Sequence, residues 1–177
     1  MTAELIESWT FNAEEAAGIV GYSERQFANW TNRYKPFPEK MQGRGYAIYY
    51  TLRDLLTLAA MNELVKIGLP PNKAAEAYKP YGSPMSTLLA KHHGLSSYPG
   101  TDVFTQGADG RWLQTDGPDR RARVEIRLWP IFDEIFPRAK KAILANPGQR
   151  KLAEVRKALA DFEDEIEAIR ADRWSAK

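Results

Sequence analysis

The chain contains no cysteine. That absence removes a disulfide framework and every cysteine-based zinc site, and it suits a reducing, cytoplasmic setting. Histidine is nearly as scarce: the two present, His92 and His93, are neighbours. Adjacent residues on a helix point about 100° apart, so this pair offers no i, i+4 metal face. No apolar run approaches the ~20 residues of a membrane span. The opening MTAELIESW lacks the basic region of a signal peptide, so neither membrane insertion nor secretion is expected. Gly107, Gly110 and Gly117 sit in turn-like sequence, and no glycine-rich phosphate loop opens a helix. The carboxylates Asp161, Glu163, Asp164, Glu165 and Glu167 read as the solvated face of a helix. With no catalytic or metal constellation, neither an enzyme nor a cofactor is expected. Charge of one sign is also lacking. At a net +2 the chain is no polycation, so any nucleic-acid contact has to concentrate charge locally.

What is present is a core. A hydrophobic fraction of 44% with 11% aromatics is ample, and 177 residues suit one domain with an appendage or two small ones. The stretch from Phe11 to Gly68 organises the rest. Asn12 is a good N-cap with Glu15 three residues on, followed by Ala13, Ala16, Ala17 and Val20 at helical spacing. Gly21 supplies the backbone freedom of a tight turn. Ser23, with Gln26 three residues later, caps a second helix in which Phe27, Trp30 and Tyr34 face a core. Arg25, Gln26, Asn29, Asn32 and Arg33 fall on the other faces. Arginine pairs with guanine, and Asn and Gln pair with adenine. The run Lys35-Pro36-Phe37-Pro38 ends that helix.

Next comes a wing. Gly43 and Gly45 bracket Arg44 as a hairpin tip, and Tyr46, Ile48 and Tyr50 alternate with Ala47 and Tyr49 as a strand does. Thr51 with Asp54 caps a long apolar helix that Gly68 ends, and Pro70-Pro71 begins another short one to Tyr78. Between Tyr22 and Tyr46, Arg25, Arg33, Lys35, Lys40 and Arg44 face only Glu24 and Glu39, a modest local excess of positive charge. So modest a footprint implies weak binding by one copy and joint action by two.

Several stretches together carry a family likeness: AEEAAGIVGYS, the helix ERQFANW, the wing ending GYAIYYTLRDL, and the closing LVKIGLPPNKAAEAY. Phe11 to about Tyr78 resembles the DNA-binding domain of the MerR-type winged-helix superfamily, which phage excisionases and terminase small subunits share. The junction Tyr50-Thr51-Leu52-Arg53-Asp54 is similar to the family's link between wing and helix, and Glu63 to Pro70 is similar to its helix-ending turn. Two positions depart. Ile48 stands where the family carries a wing arginine, with Arg44 and Tyr46 as substitutes, and the family's late aromatic pair is reduced to Asn29-Trp30. The resemblance implies a winged helix-turn-helix that binds double-stranded DNA.

Beyond a break at Lys79–Pro84, a short helix is expected from Met85 to His92. A hairpin follows through Val103–Thr105 and Arg111–Gln114, with the Asp109-Gly110 turn between them, then a strand from Arg123 to Leu128. Trp129 to Ala145 reads as a helix that Pro137 kinks or splits. At the C-terminus, Leu152, Val155, Leu159, Phe162, Ile166 and Ile169 repeat at spacings of three and four, a heptad seam that either pairs two chains or packs on its own. Many MerR-type proteins dimerise through a C-terminal helix, which favours pairing.

The expected fold is mainly α with small β. A winged helix-turn-helix occupies 1–80, a small α+β region with a central antiparallel sheet 81–147, and an amphipathic or coiled-coil dimerisation helix 148–177. The expected function is a homodimeric transcription regulator that binds an inverted repeat through helix 23–34 and wing 40–50. Its contacts are Ser23, Arg25, Gln26, Asn29, Asn32, Arg33, Lys35, Lys40, Arg44 and Tyr46. The middle region leaves room for a small-molecule or protein effector. Two other readings stay open: a phage-type packaging or recombination accessory factor, such as a terminase small subunit or excisionase, and a protein-interaction module such as an antitoxin or adaptor.

Overall fold

The computed structural model describes residues 6, 8–40, 47–78, 84–89, 100–107, 109–113, 122–148 and 150–175. The wing tip with Arg44 and Tyr46, the histidine pair and most of the Lys79–Pro84 break lie outside these residues.

The fold is mostly helical with two small antiparallel sheets. Strand β1 (Thr10–Phe11) leads into α1 (Ala13–Val20). Helix α2 (Glu24–Asn29) continues through a π-helical turn, Trp30–Tyr34. A single 3-10 turn (Pro38–Lys40) precedes β2 (Tyr50–Thr51) and the long α3 (Leu52–Lys66). Then come α4 (Pro71–Tyr78), α5 (Pro84–Leu89), β3 (Thr101–Gln106), β4 (Trp112–Leu113), β5 (Ala122–Arg127), α6 (Leu128–Ala145) and α7 (Leu152–Ser175). None of the helices is long and apolar enough to cross a membrane, among the described residues.

All three expected capping pairs form. Asn12 with Glu15, Ser23 with Gln26 and Thr51 with Asp54 each satisfy both helix-end donors reciprocally. The strand ending at Thr51 pairs with β1 in the register Phe11↔Tyr50, which ties the wing base to the start of the chain. The central sheet has the order β4-β3-β5, with Phe104 opposite Val124 and Thr105 opposite both Leu113 and Arg123. The expected hairpin and third strand are therefore present and adjacent. Helix α6 begins one residue earlier than expected and runs through Pro137 without a break. A proline at that position leaves the carbonyl of Asp133 without its helical donor, but Asp133 and Pro137 are both exposed, so water can serve it.

One buried cluster runs from Ile6 to Ile166. Helix α3 is its axis: Leu52, Leu55, Leu58, Ala60 and Leu64 are fully buried, because α1, α4, α5, α6 and β5 pack around it. Each such leucine contributes about 1.5–3 kcal/mol relative to exposure. Across this core, β3 is pinned by a buried polar contact. Asp102 accepts hydrogen bonds from Tyr78 at 3.0 Å and Thr87 at 2.6 Å, which joins α4, α5 and the sheet. A carboxylate can be buried there because these donors replace water.

The C-terminal seam, for which pairing and internal packing were both open, packs largely on its own chain. Val155, Leu159, Phe162 and Ile166 are buried inside this chain, against the Phe132 and Phe136 face of α6. Leu152 is exposed and Ile169 half-buried. The seam is thus filled from within rather than left for a partner, because α6 carries its own apolar stripe alongside it.

Candidate nucleic-acid interface

Two helices and a turn set the geometry. Helix α1 ends at Gly21, whose φ of 74° is the left-handed conformation that glycine adopts without strain. Two residues later Ser23 opens α2. The Ser23 N–H donates to Gln26 Oε1 at 3.0 Å, the Gln26 N–H donates to Ser23 Oγ at 3.3 Å, and the Ser23 hydroxyl donates back to Gln26 Oε1 at 3.0 Å. Helix α2 then buries Phe27 and Trp30. The Phe27 ring meets Tyr50 edge-on at 4.9 Å, which locks the helix to the base of the wing.

The opposite side of this helix is exposed and polar. Arg25, Asn29, Asn32, Arg33 and Lys35 all face solvent, as does the capping pair Ser23 and Gln26. Of the ten expected contacts, these seven are brought onto the same helix and its end. Ser23 and Gln26 are already engaged with each other, so Gln26 has only its amide nitrogen left for an outside partner. Arg33 lies over the Tyr34 ring at 5.7 Å, a stacking that holds a guanidinium without neutralising it.

The last turn departs from a plain α-helix. Trp30–Tyr34 is a π-type turn, and Thr31 donates its hydroxyl to the Phe27 carbonyl at 3.0 Å. Such back-bonding bends helices. The turn closes on Lys35 at a φ of 45°, the one non-glycine residue with positive φ among the described residues. Asn32 and Arg33 are therefore displayed with a different phase from Arg25 and Asn29. π-Turns of this kind recur at functional sites.

Lys40 has a partner within the chain. Its ammonium lies 2.8 Å from Asp54 Oδ2 and donates to the Tyr49 carbonyl at 3.2 Å. Asp54 also accepts from the Thr51 N–H at 2.6 Å and hydroxyl at 2.8 Å. Lys40 thus fastens the chain where it enters α3. The cap and the ion pair share one nearly buried carboxylate, so Asp54→Ala should lower the unfolding free energy by about 2–3 kcal/mol. Chemical denaturation would read it.

Two exposed residues flank the start of α3. Tyr49 is exposed because Tyr50 beside it is turned inward, as strand alternation predicts. Arg53 is exposed in the first turn of α3. Between α1, α2 and the wing base lies a cleft of about 440 Å³, with Glu14 and Glu24 among its lining residues. Their charge makes it unsuited to phosphate. Three tyrosines around the domain stay protonated at neutral pH. Burial raises Tyr22 far above the ordinary range, helped by Glu63. It raises Tyr50 against the pull of a Thr31 hydrogen bond. It raises Tyr78 beside Asp102.

Residues 11–79 match the family model described as MerR HTH family regulatory protein. The match covers less than half of the 177-residue chain. No curated protein and no solved structure matches the chain. The capped helix pair, the left-handed Gly21 turn, the wing base and this match agree: residues 11–79 are a MerR-type helix-turn-helix DNA-binding domain of the kind found in transcription regulators.

Proposed function

We propose that the chain is a sequence-specific regulator that reads double-stranded DNA with α2 in the major groove and acts as two copies on an inverted repeat. The observation that carries this reading is the two-sided α2. Phe27 and Trp30 fix one side in the core, and Arg25, Asn29, Asn32 and Arg33 are presented on the other. Those side chains match the donor and acceptor patterns of guanine and adenine edges. In this reading Arg44 and Tyr46 contact an adjacent groove or the backbone, and the Lys40–Asp54 pair anchors the chain where it enters α3.

Pairing of two copies is supported by charge. Arg25, Arg33 and Lys35 are too few to hold one module on DNA at physiological salt. Two modules joined by a protein interface gain from effective concentration, and two-fold symmetry in the protein calls for a palindromic site. Because the heptad seam is occupied by α6, the two copies would meet through other surface.

The test is selection of duplexes from a randomised library by the full chain at moderate salt. An enriched inverted repeat is the expected result, and its half-site spacing reports the dimer geometry. Only salt-sensitive background binding would refute sequence-specific regulation and favour a packaging or recombination accessory role. No DNA binding, together with a stoichiometric protein partner, would favour the interaction module.

A further inference from the structure

Helix α1 has a C-terminal end that its own sequence does not complete. Its first turn carries Glu14 and Glu15, which suit the positive end of the helix dipole, but its last turn carries no basic residue. The final carbonyls of any helix also lack intrahelical donors. Local backbone answers some of them. The Gly21 N–H reaches Ala17 and Gly18, and the Tyr22 N–H donates to the Ala17 carbonyl at 2.9 Å.

The Ile19 carbonyl is answered from far along the chain. Arg138 Nη1 on α6 donates to it at 3.1 Å across 119 positions of sequence. The same guanidinium is oriented by Glu134, one turn earlier on α6, which accepts from Nη2 at 3.1 Å. It also lies against the turn itself: a Cβ on Gly21 would stand 3.3 Å from Nη1. The cation that α1 needs at its negative end is therefore supplied by a helix outside the family-matched segment. It sits on the pivot from which Ser23 and α2 depart.

We propose that Arg138 is a positioning residue for DNA recognition, holding the Gly21-Tyr22 turn so that α2 keeps the angle at which Arg25, Asn29 and Arg33 meet the groove. The inference rests on α2 being the DNA-reading helix. It makes the C-terminal half a brace of the reading head. Arg138 touches no DNA and acts only through the turn. Its loss changes discrimination between sequences, which depends on placement, and spares general attraction to phosphate, which depends on charge.

Arg138→Met and Arg138→Lys in the full chain test it with two measurements. The first is amide hydrogen exchange. Arg138→Met should raise exchange at Tyr22 to Phe27 about ten-fold and leave the amides of α3 at wild-type rates. The second is affinity for the duplex enriched by the wild-type chain and for a scrambled duplex of equal length. The enriched duplex should be bound about ten-fold more weakly, while scrambled-duplex affinity and salt dependence stay unchanged. Arg138→Lys, which keeps the charge and a donor, should recover most of both effects. Unchanged exchange at the turn, or an equal rise throughout α3, would overturn the brace. Undiminished binding of the enriched duplex by Arg138→Met would overturn its role in recognition while leaving the DNA reading intact. If the wild-type chain enriches no duplex, the DNA reading fails and the exchange pattern alone decides whether Arg138 braces the turn.

Discussion

Phe162→Ala is expected to lower the unfolding free energy by about 3–5 kcal/mol. The side chain is fully buried, and its ring lies 5.3 Å from Phe136 and 6.3 Å from Phe132, centroid to centroid. Deleting it removes both ring contacts and leaves a cavity that α6 and α7, tethered by the Lys140–Glu163 pair at 2.7 Å, cannot readily close. The loss should be the same at any protein concentration, because the rings it packs on belong to its own chain. Chemical denaturation over a hundred-fold range of concentration reads this directly. If Phe162→Ala instead abolished a concentration dependence that the wild type shows, the seam would be shared between chains. For the same reason Leu159→Asp combined with Ile166→Asp should unfold the C-terminal half rather than separate folded monomers, since both residues are buried within the chain.

The seam shows where sequence stops being informative. A three-four apolar repeat says that a helix buries one stripe and is silent about whose surface covers it. Here the cover is the Phe132 and Phe136 stripe of α6, itself legible from its own spacing; the contact between the two stripes was not. Local features fared better because their physics is local. Asn12 with Glu15, Ser23 with Gln26 and Thr51 with Asp54 each place an acceptor and its reciprocal partner three residues apart, and each forms. The outward turn of Arg25, Asn29 and Arg33 followed from the inward turn of Phe27 and Trp30. Long-range electrostatics did not yield in this way. Lys40 is taken by Asp54, 14 positions on, and the end of α1 by Arg138, 119 positions on, and no periodicity marks either pair. The π-turn was hidden for another reason: it depends on how Thr31 bonds back to Phe27 inside a packed corner, which propensity does not encode.

Arg25→Ala should weaken binding to the enriched duplex by about ten- to a hundred-fold, the usual cost of losing a bidentate base contact, and Arg33→Ala should weaken it less, as the loss of one phosphate contact does. Both side chains are exposed and neither supports the core, so circular dichroism should be unchanged. The two should nevertheless differ in kind. Arg25 lies in the first turn of α2, near the helix N-terminus, where side chains of a recognition helix most often reach base edges. Its loss should relax preference at one position of each half-site and leave the scrambled duplex almost unaffected. Arg33 lies in the π-turn, stacked on Tyr34 and one residue beyond Asn32, phased away from Arg25. A guanidinium so placed suits the backbone. Its loss should weaken every sequence alike and reduce the salt slope by about one counterion. Parallel titrations of both duplexes at several salt concentrations separate these outcomes. Should both variants bind as wild type does, with structure intact, the exposed face of α2 would not be the reading surface. The wing and the exposed Tyr49 and Arg53 beside it would then be the remaining route to DNA.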